Sequence, residues 1–126
     1  MTASDRALAL TQVAAAAADA KQGEDLVALD VSGPLPLADV FLLVTGRNER
    51  NVQAIASEVE DQMILAGAKP LRREGRAEGR WILLDFGDVV VHVFHEEERL
   101  FYSLERLWKD CPAIPLDLND TAAPAS

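Results

Sequence analysis

RWILLDFGDVVVHVFHEEERLFYSLERLW, residues 80–108, decides the fold. WILLDF and DVVVHVF are rich in β-branched and aromatic residues, the composition of strands, and they meet around Phe86-Gly87-Asp88. A turn that short makes them antiparallel neighbours in a hairpin. Successive residues of a strand point to opposite faces, so if Ile82, Leu84 and Phe86 face one side, Trp81, Leu83 and Asp85 face the other. Downstream, Leu100, Phe101, Leu104, Leu107 and Trp108 trace one face of a helix from Glu96 to Lys109. Glu96, Glu97 and Glu98 stand at its electropositive start, and Pro112 lies past its end.

Upstream, residues 4–23 read as an alanine-rich helix that Ser4 caps and Gly23 lets exit in the left-handed region. DLVALDVS alternates as a strand, which Gly33, Pro34 and Pro36 break. DVFLLVTG is a continuous apolar run of strand length, the pattern of a strand covered on both faces, so helices should flank the sheet. From Asn48 to Ala66, Val52, Ile55, Val59 and Met63 recur at spacings of three and four, and Gly67 closes a long amphipathic helix. PLRR suits an edge strand, because Pro70 has no ladder donor. The order predicts an α/β fold with a mixed five-stranded sheet flanked by helices. One domain spans 1–112; a C-terminal extension, 113–126, ends in the small polar NDTAAPAS, expected to be disordered.

The 126 residues fit one core, and 49% hydrophobic content is enough to build it. With 21 acidic and 12 basic residues the net charge is −9, which disfavours broad binding to nucleic acid or anionic lipid. One basic loop interrupts the acidic body. In KPLRREGRAEGR, residues 69–80, Lys69, Arg72, Arg73, Arg76 and Arg80 stand against Glu74 and Glu78, a local +3. That loop could hold RNA phosphates or simply be a solvated connection. A lone Cys111 excludes an internal disulfide and points to a reducing cytosol. The apolar N-terminal stretch, interrupted by Asp19, is neither a signal peptide nor a membrane span.

Glycine between a buried strand and a helix, as in VTGRNER, is a place where phosphates sit on free backbone amides. A nucleotidyltransferase-like site would here use Gly46, Arg47, Asp85 and Asp88, but no Asp-x-Asp or Asp-x-Glu pair follows on the next strands. His92 and His95 are three apart, so on one strand they face opposite sides, a poor zinc spacing. The reading is a packed His92 and a partly exposed His95. No residue is assigned to catalysis, a cofactor or a metal. Instead, Trp81 and Phe86 should emerge beside Asp85, Asp88 and the glutamates as an apolar patch with an acidic rim, suited to a basic partner.

Three blocks, DLVALDVSG, DVFLLVTGRNERNVQAIASEVE and EGRAEGRWILLDFGDVVVHVFHEEERLFYSLERLW, together resemble the ribosomal silencing factor family, RsfS, also called Iojap. The resemblance covers about residues 8–110, and the last block is its most specific part. It implies a nucleotidyltransferase-like topology without the catalytic acids, and no enzymatic activity. It also implies binding to the large ribosomal subunit through that subunit's ribosomal protein fourteen, which blocks subunit joining and lowers translation when nutrients run short. On this chain the family's tryptophan and aspartate-aromatic turn fall on Trp81, Asp85 and Phe86, with Asp88 in the acidic rim. His92, Phe94, Arg99 and Tyr102 match the rest of the block. Asn48 and Asn51 depart from the Ser and Gln common there, though Asn48 still suits a helix cap. Arg47 is unusual in that turn. The implied setting is the cytoplasm, with a secondary contact to ribosomal RNA and a homodimer as further possibilities, since an open sheet has edges to cover.

Overall fold

The structure, a computed structural model, describes residues 3–33, 38–75, 77–98 and 111–118. In chain order these form α1 (Asp5–Ala20), β1 (Glu24–Asp30), β2 (Val40–Gly46), α2 (Glu49–Leu65), β3 (Arg72–Glu74), β4 (Trp81–Asp85), β5 (Val89–His95) and β6 (Ala113–Ile114). The strands make one mixed sheet in the order β3-β4-β5-β2-β1-β6. β2 and β5 pair in parallel at its centre, and the other neighbours are antiparallel. The sheet thus has six strands rather than five. The sixth has two residues, too short for a periodicity to announce it. It forms because Asp30 N–H reaches Pro112 O at 2.9 Å and draws the chain along the β1 edge.

The helix ends follow their caps. Ser4 accepts from Ala7 N–H at 3.1 Å and Asn48 from Asn51 N–H at 2.7 Å. Gly67 takes a φ of 94° after α2, as its position suggests, but the left-handed residue after α1 is Gln22, with a φ of 65°, and not Gly23. Gly23 is needed for space: a Cβ there would lie 2.7 Å from Val44 Cγ1.

Both helices lie on one face of the sheet. Ala7, Leu10, Ala14 and Ala18 of α1 and Val52, Ile55, Val59 and Met63 of α2 pack on Val40, Leu42 and Val44 of β2, Ile82 and Leu84 of β4, and Val89, Val91 and Val93 of β5. The opposite face holds a second cluster. Leu29, Val31, Ala38, Leu43, Val90 and Phe94 are buried there, and Val27, Phe41, Trp81, Leu83 and Cys111 are partly so. The C-terminal strap is tied to α1 at both ends of one amide: Gln12 Nε2 donates to Pro115 O at 2.9 Å, and Asp117 N–H donates to Gln12 Oε1 at 2.7 Å. Ile114, Leu116 and Leu118 of the strap pack on the helix-side core. Residues 96–98 are helical, while the rest of the helix expected to Lys109 and the terminal NDTAAPAS lie outside the described residues. Among the described residues, no helix is long and apolar enough to cross a membrane.

Candidate functional site

The sheet face away from α1 and α2 carries the candidate site. Register places Trp81 opposite Phe94, Leu83 opposite His92 and Asp85 opposite Val90, and then His92 opposite Leu43 and Val90 opposite Phe41. Paired residues share a face, so Trp81, Leu83, Asp85, His92 and Phe94 line up with Phe41 and Leu43 across three strands. The alternation expected along β4 therefore holds. Trp81, Leu83 and Phe41 are half-buried, while Leu43 and Phe94 are sealed beneath them.

The aromatic side chains hold one another in place. The Trp81 ring lies 5.0 Å from that of Phe94, tilted by 45°, and Trp81 Nε1–H donates to His92 Nδ1 at 3.3 Å. His92 stands 4.8 Å from the Phe41 ring and stacks on Phe94 with an interplanar angle of 11°. It is 6% exposed, and burial pushes its pKa down to about 4, so the imidazole is neutral. Accepting through Nδ1 leaves the hydrogen on Nε2, which is buried and has no hydrogen-bond partner among the described residues.

Carboxylates stand at both ends of β4, although Arg80, one residue before Trp81, reaches toward α2 and so lies at the edge of this face and not on it. At the Trp81 end, Arg80 gathers Glu49 at 3.1 Å, Glu97 at 3.0 Å and Glu98 at 3.0 Å, which raises its pKa above the ordinary arginine range. Glu49 is held below its ordinary value, first by its own backbone amide and then by Arg80. Three carboxylates around one guanidinium leave this corner acidic. At the other end, Asp85 Oδ1 accepts from Gly87 N–H at 2.8 Å, and Asp88 is exposed in the turn.

Four of the expected contact residues share one face, Trp81 and Asp85 half-buried on it and His92 and Phe94 buried in its floor, and Asp88 borders it. Phe86 does not join them. It is 8% exposed and belongs to the helix-side core, because the residue after Asp85 turns its ring toward the α-helical layer while its N–H closes the turn on Val89 O at 2.9 Å. The exposed Trp81–Phe86 patch is corrected to Trp81 with Leu83 and Phe41. His95, expected to be partly exposed, is 8% exposed instead, with Nδ1 accepting from Glu97 N–H at 3.1 Å. Arg99 and Tyr102 lie outside the described residues.

The competing sites do not assemble. Gly46 ends β2 and Arg47 follows it, whereas Asp85 and Asp88 sit where its parallel neighbour β5 begins, the length of a seven-residue strand away, about 20 Å. Arg47 instead pairs with Glu24 at 3.3 Å, and its N–H donates to Asn51 Oδ1 at 2.9 Å. His92 and His95 point to opposite faces. Among the described residues no group of three or more His, Cys, Asp or Glu is placed to hold a metal ion. In the basic loop, Arg73 is bound by Glu60, Arg72 lies 3.3 Å from Glu74, and Arg80 serves its three glutamates. Arg76 lies outside the described residues.

Sequence reasoning missed Glu74. It pairs with Leu83 across the sheet edge, and with Gly75, Trp81 and Leu83 it lines a cleft of about 340 Å³. Gly75 makes that approach possible: its φ is 83°, and a Cβ would lie 2.0 Å from Trp81 O, where no side chain fits. The signal was present in the short PLRREG segment, but only the β3–β4 register brings it to the indole.

Comparison with known proteins agrees with the fold. The family model described as ribosomal silencing factor during starvation matches residues 4–126. A ribosomal silencing factor RsfS of Bacillus subtilis is 49% identical over 110 residues, 87% of this chain and 93% of the relative. A crystal structure from Bacillus halodurans superposes with a TM-score of 0.76 at 44% identity, covering 86% of this chain and 98% of the other. One from Chromobacterium violaceum gives 0.78 at 35% identity, covering 80% and 84%. A family match over residues 4–126 and a close relative along most of the chain place this protein in the ribosomal silencing factor (RsfS) family.

Proposed function

We propose that this chain represses translation without catalysis, in the cytoplasm, by docking its Trp81 face on ribosomal protein fourteen of the large subunit. Bound there, it excludes the small subunit when nutrients are limiting. The observation that carries the reading is the half-buried Trp81 on a sheet face with an aromatic floor, where Asp85 and Glu74 share the face and the glutamates around Arg80 lie at its edge. Ribosomal proteins are generally basic, and an acidic frame steers encounter with such a partner while apolar contact supplies affinity. The net charge of −9 keeps the factor off bare RNA phosphates, and pairing of Arg73 and Arg80 with carboxylates weakens the basic loop as an RNA site.

The test is co-sedimentation of the purified protein with large subunits in sucrose gradients, with subunit joining followed in parallel. Wild-type protein should travel with free large subunits and inhibit joining. Trp81→Ala, checked for folding by circular dichroism, should lose about 2 kcal/mol of binding, roughly a thirtyfold weaker Kd. Wild-type protein that fails to sediment with large subunits would overturn the reading.

A further inference from the structure

The cleft beside Trp81 has a chemistry of its own. Its wall is an indole, Leu83 supplies an aliphatic side, and Glu74 stands at the rim. Glu74 has one counterion near it among the described residues, Arg72 at 3.3 Å. Both side chains are about 60% exposed, at 60% and 59%, so solvent screens the pair and an incoming cation can replace it at little loss. Glu74 and Leu83 are register partners on neighbouring strands, so the carboxylate and the apolar wall are held by the sheet and not by a loop. Gly75, with no side chain, lets the backbone after Glu74 pass against the Trp81 carbonyl, where a Cβ would lie 2.0 Å from the oxygen.

An aromatic face, an alkyl wall and a carboxylate within one open cleft match a long basic side chain. The stem of a lysine or arginine covers Leu83, its charge lies over the indole, and Glu74 neutralises it. Neither an anion nor an apolar group would use all three. We propose that this cleft is the socket for a lysine or arginine side chain of the docked protein, with Glu74 as its counterion. The inference rests on the docking reading above and adds the partner group that enters and the residue that selects it.

The experiment measures affinity for purified large subunits at low and raised salt for wild type, Glu74→Gln, Glu78→Gln, Trp81→Phe and Trp81→Leu. Glu78 is an exposed glutamate of the same loop that does not line the cleft. Glu74→Gln should weaken binding on the order of fivefold to tenfold at low salt and flatten the salt dependence, whereas Glu78→Gln should leave both unchanged. Trp81→Phe keeps a π face and should retain most of the affinity. Trp81→Leu keeps the apolar volume and should lose on the order of tenfold. If Glu74→Gln binds like wild type with the same salt dependence, or Trp81→Leu binds like Trp81→Phe, the socket is refuted while docking through this face stands. If wild-type protein does not bind large subunits, both readings fall.

Discussion

Phe86 is the position where surface and core assignments diverge, and its replacement separates them. The ring is 8% exposed and packed in the helix-side cluster. A phenylalanine buries roughly 150 to 250 Å², and at about 25 cal/mol per Å², with a residual cavity, truncation to alanine costs about 3 to 5 kcal/mol. In a chain of this size each kcal/mol lowers Tm by about 3 to 5 °C, so Phe86→Ala should melt roughly 10 to 20 °C below wild type. Phe86→Leu refills most of the volume and should cost about 1 kcal/mol. The assay pairs urea unfolding with large-subunit binding, read on Phe86→Leu because that variant stays folded. Stability should fall while the Kd remains within twofold of wild type. A Phe86→Leu protein as stable as wild type but clearly weaker in binding would refute the core assignment and restore the ring to the interface.

Two further outcomes test the face itself. The His92 pKa is depressed to about 4 against 6.5, so the unfolded chain gains a proton first as pH falls. Stability contributed by the neutral imidazole is complete above pH 6.5 and drains away toward pH 4, by up to about 3 kcal/mol. His92→Gln cannot titrate, so urea midpoints measured from pH 7.5 to 4 should converge on, or cross, those of wild type, and parallel profiles would contradict the assignment. Gly75→Ala places a Cβ 2.0 Å from Trp81 O at a φ of 83° and should destabilise by more than about 1 kcal/mol, with Trp81 fluorescence perturbed as the backbone shifts. An unchanged emission spectrum and midpoint would show that the chain has room there.

The family resemblance, the two caps, the amphipathic helix and the hairpin were legible because each is written in residues close along the chain. Asn48 and Ser4 cap helices that begin one residue later, and Val89 to His95 can do little but form a strand. The shared face of Trp81, Leu83 and Asp85 was legible for the same reason, since strand alternation is a property of backbone geometry. The β6 pairing was not legible: it depends on Pro112 meeting Asp30, some eighty residues apart along the chain (112 against 30), and its two residues carry no pattern.

Sequence by itself determined which side chains travel together on each side of β4, and tertiary structure decided which of those sides the helices would cover. Periodicity is blind to that choice because both faces of the hairpin are apolar. Packing α1 and α2 against Ile82 and Leu84 carried Phe86 inside and left Trp81 on the other surface. The same folding step carried Gly46 and Asp88 to opposite ends of the sheet and brought Glu74 to the indole. These are relations between strands, and they exist only once the register is set.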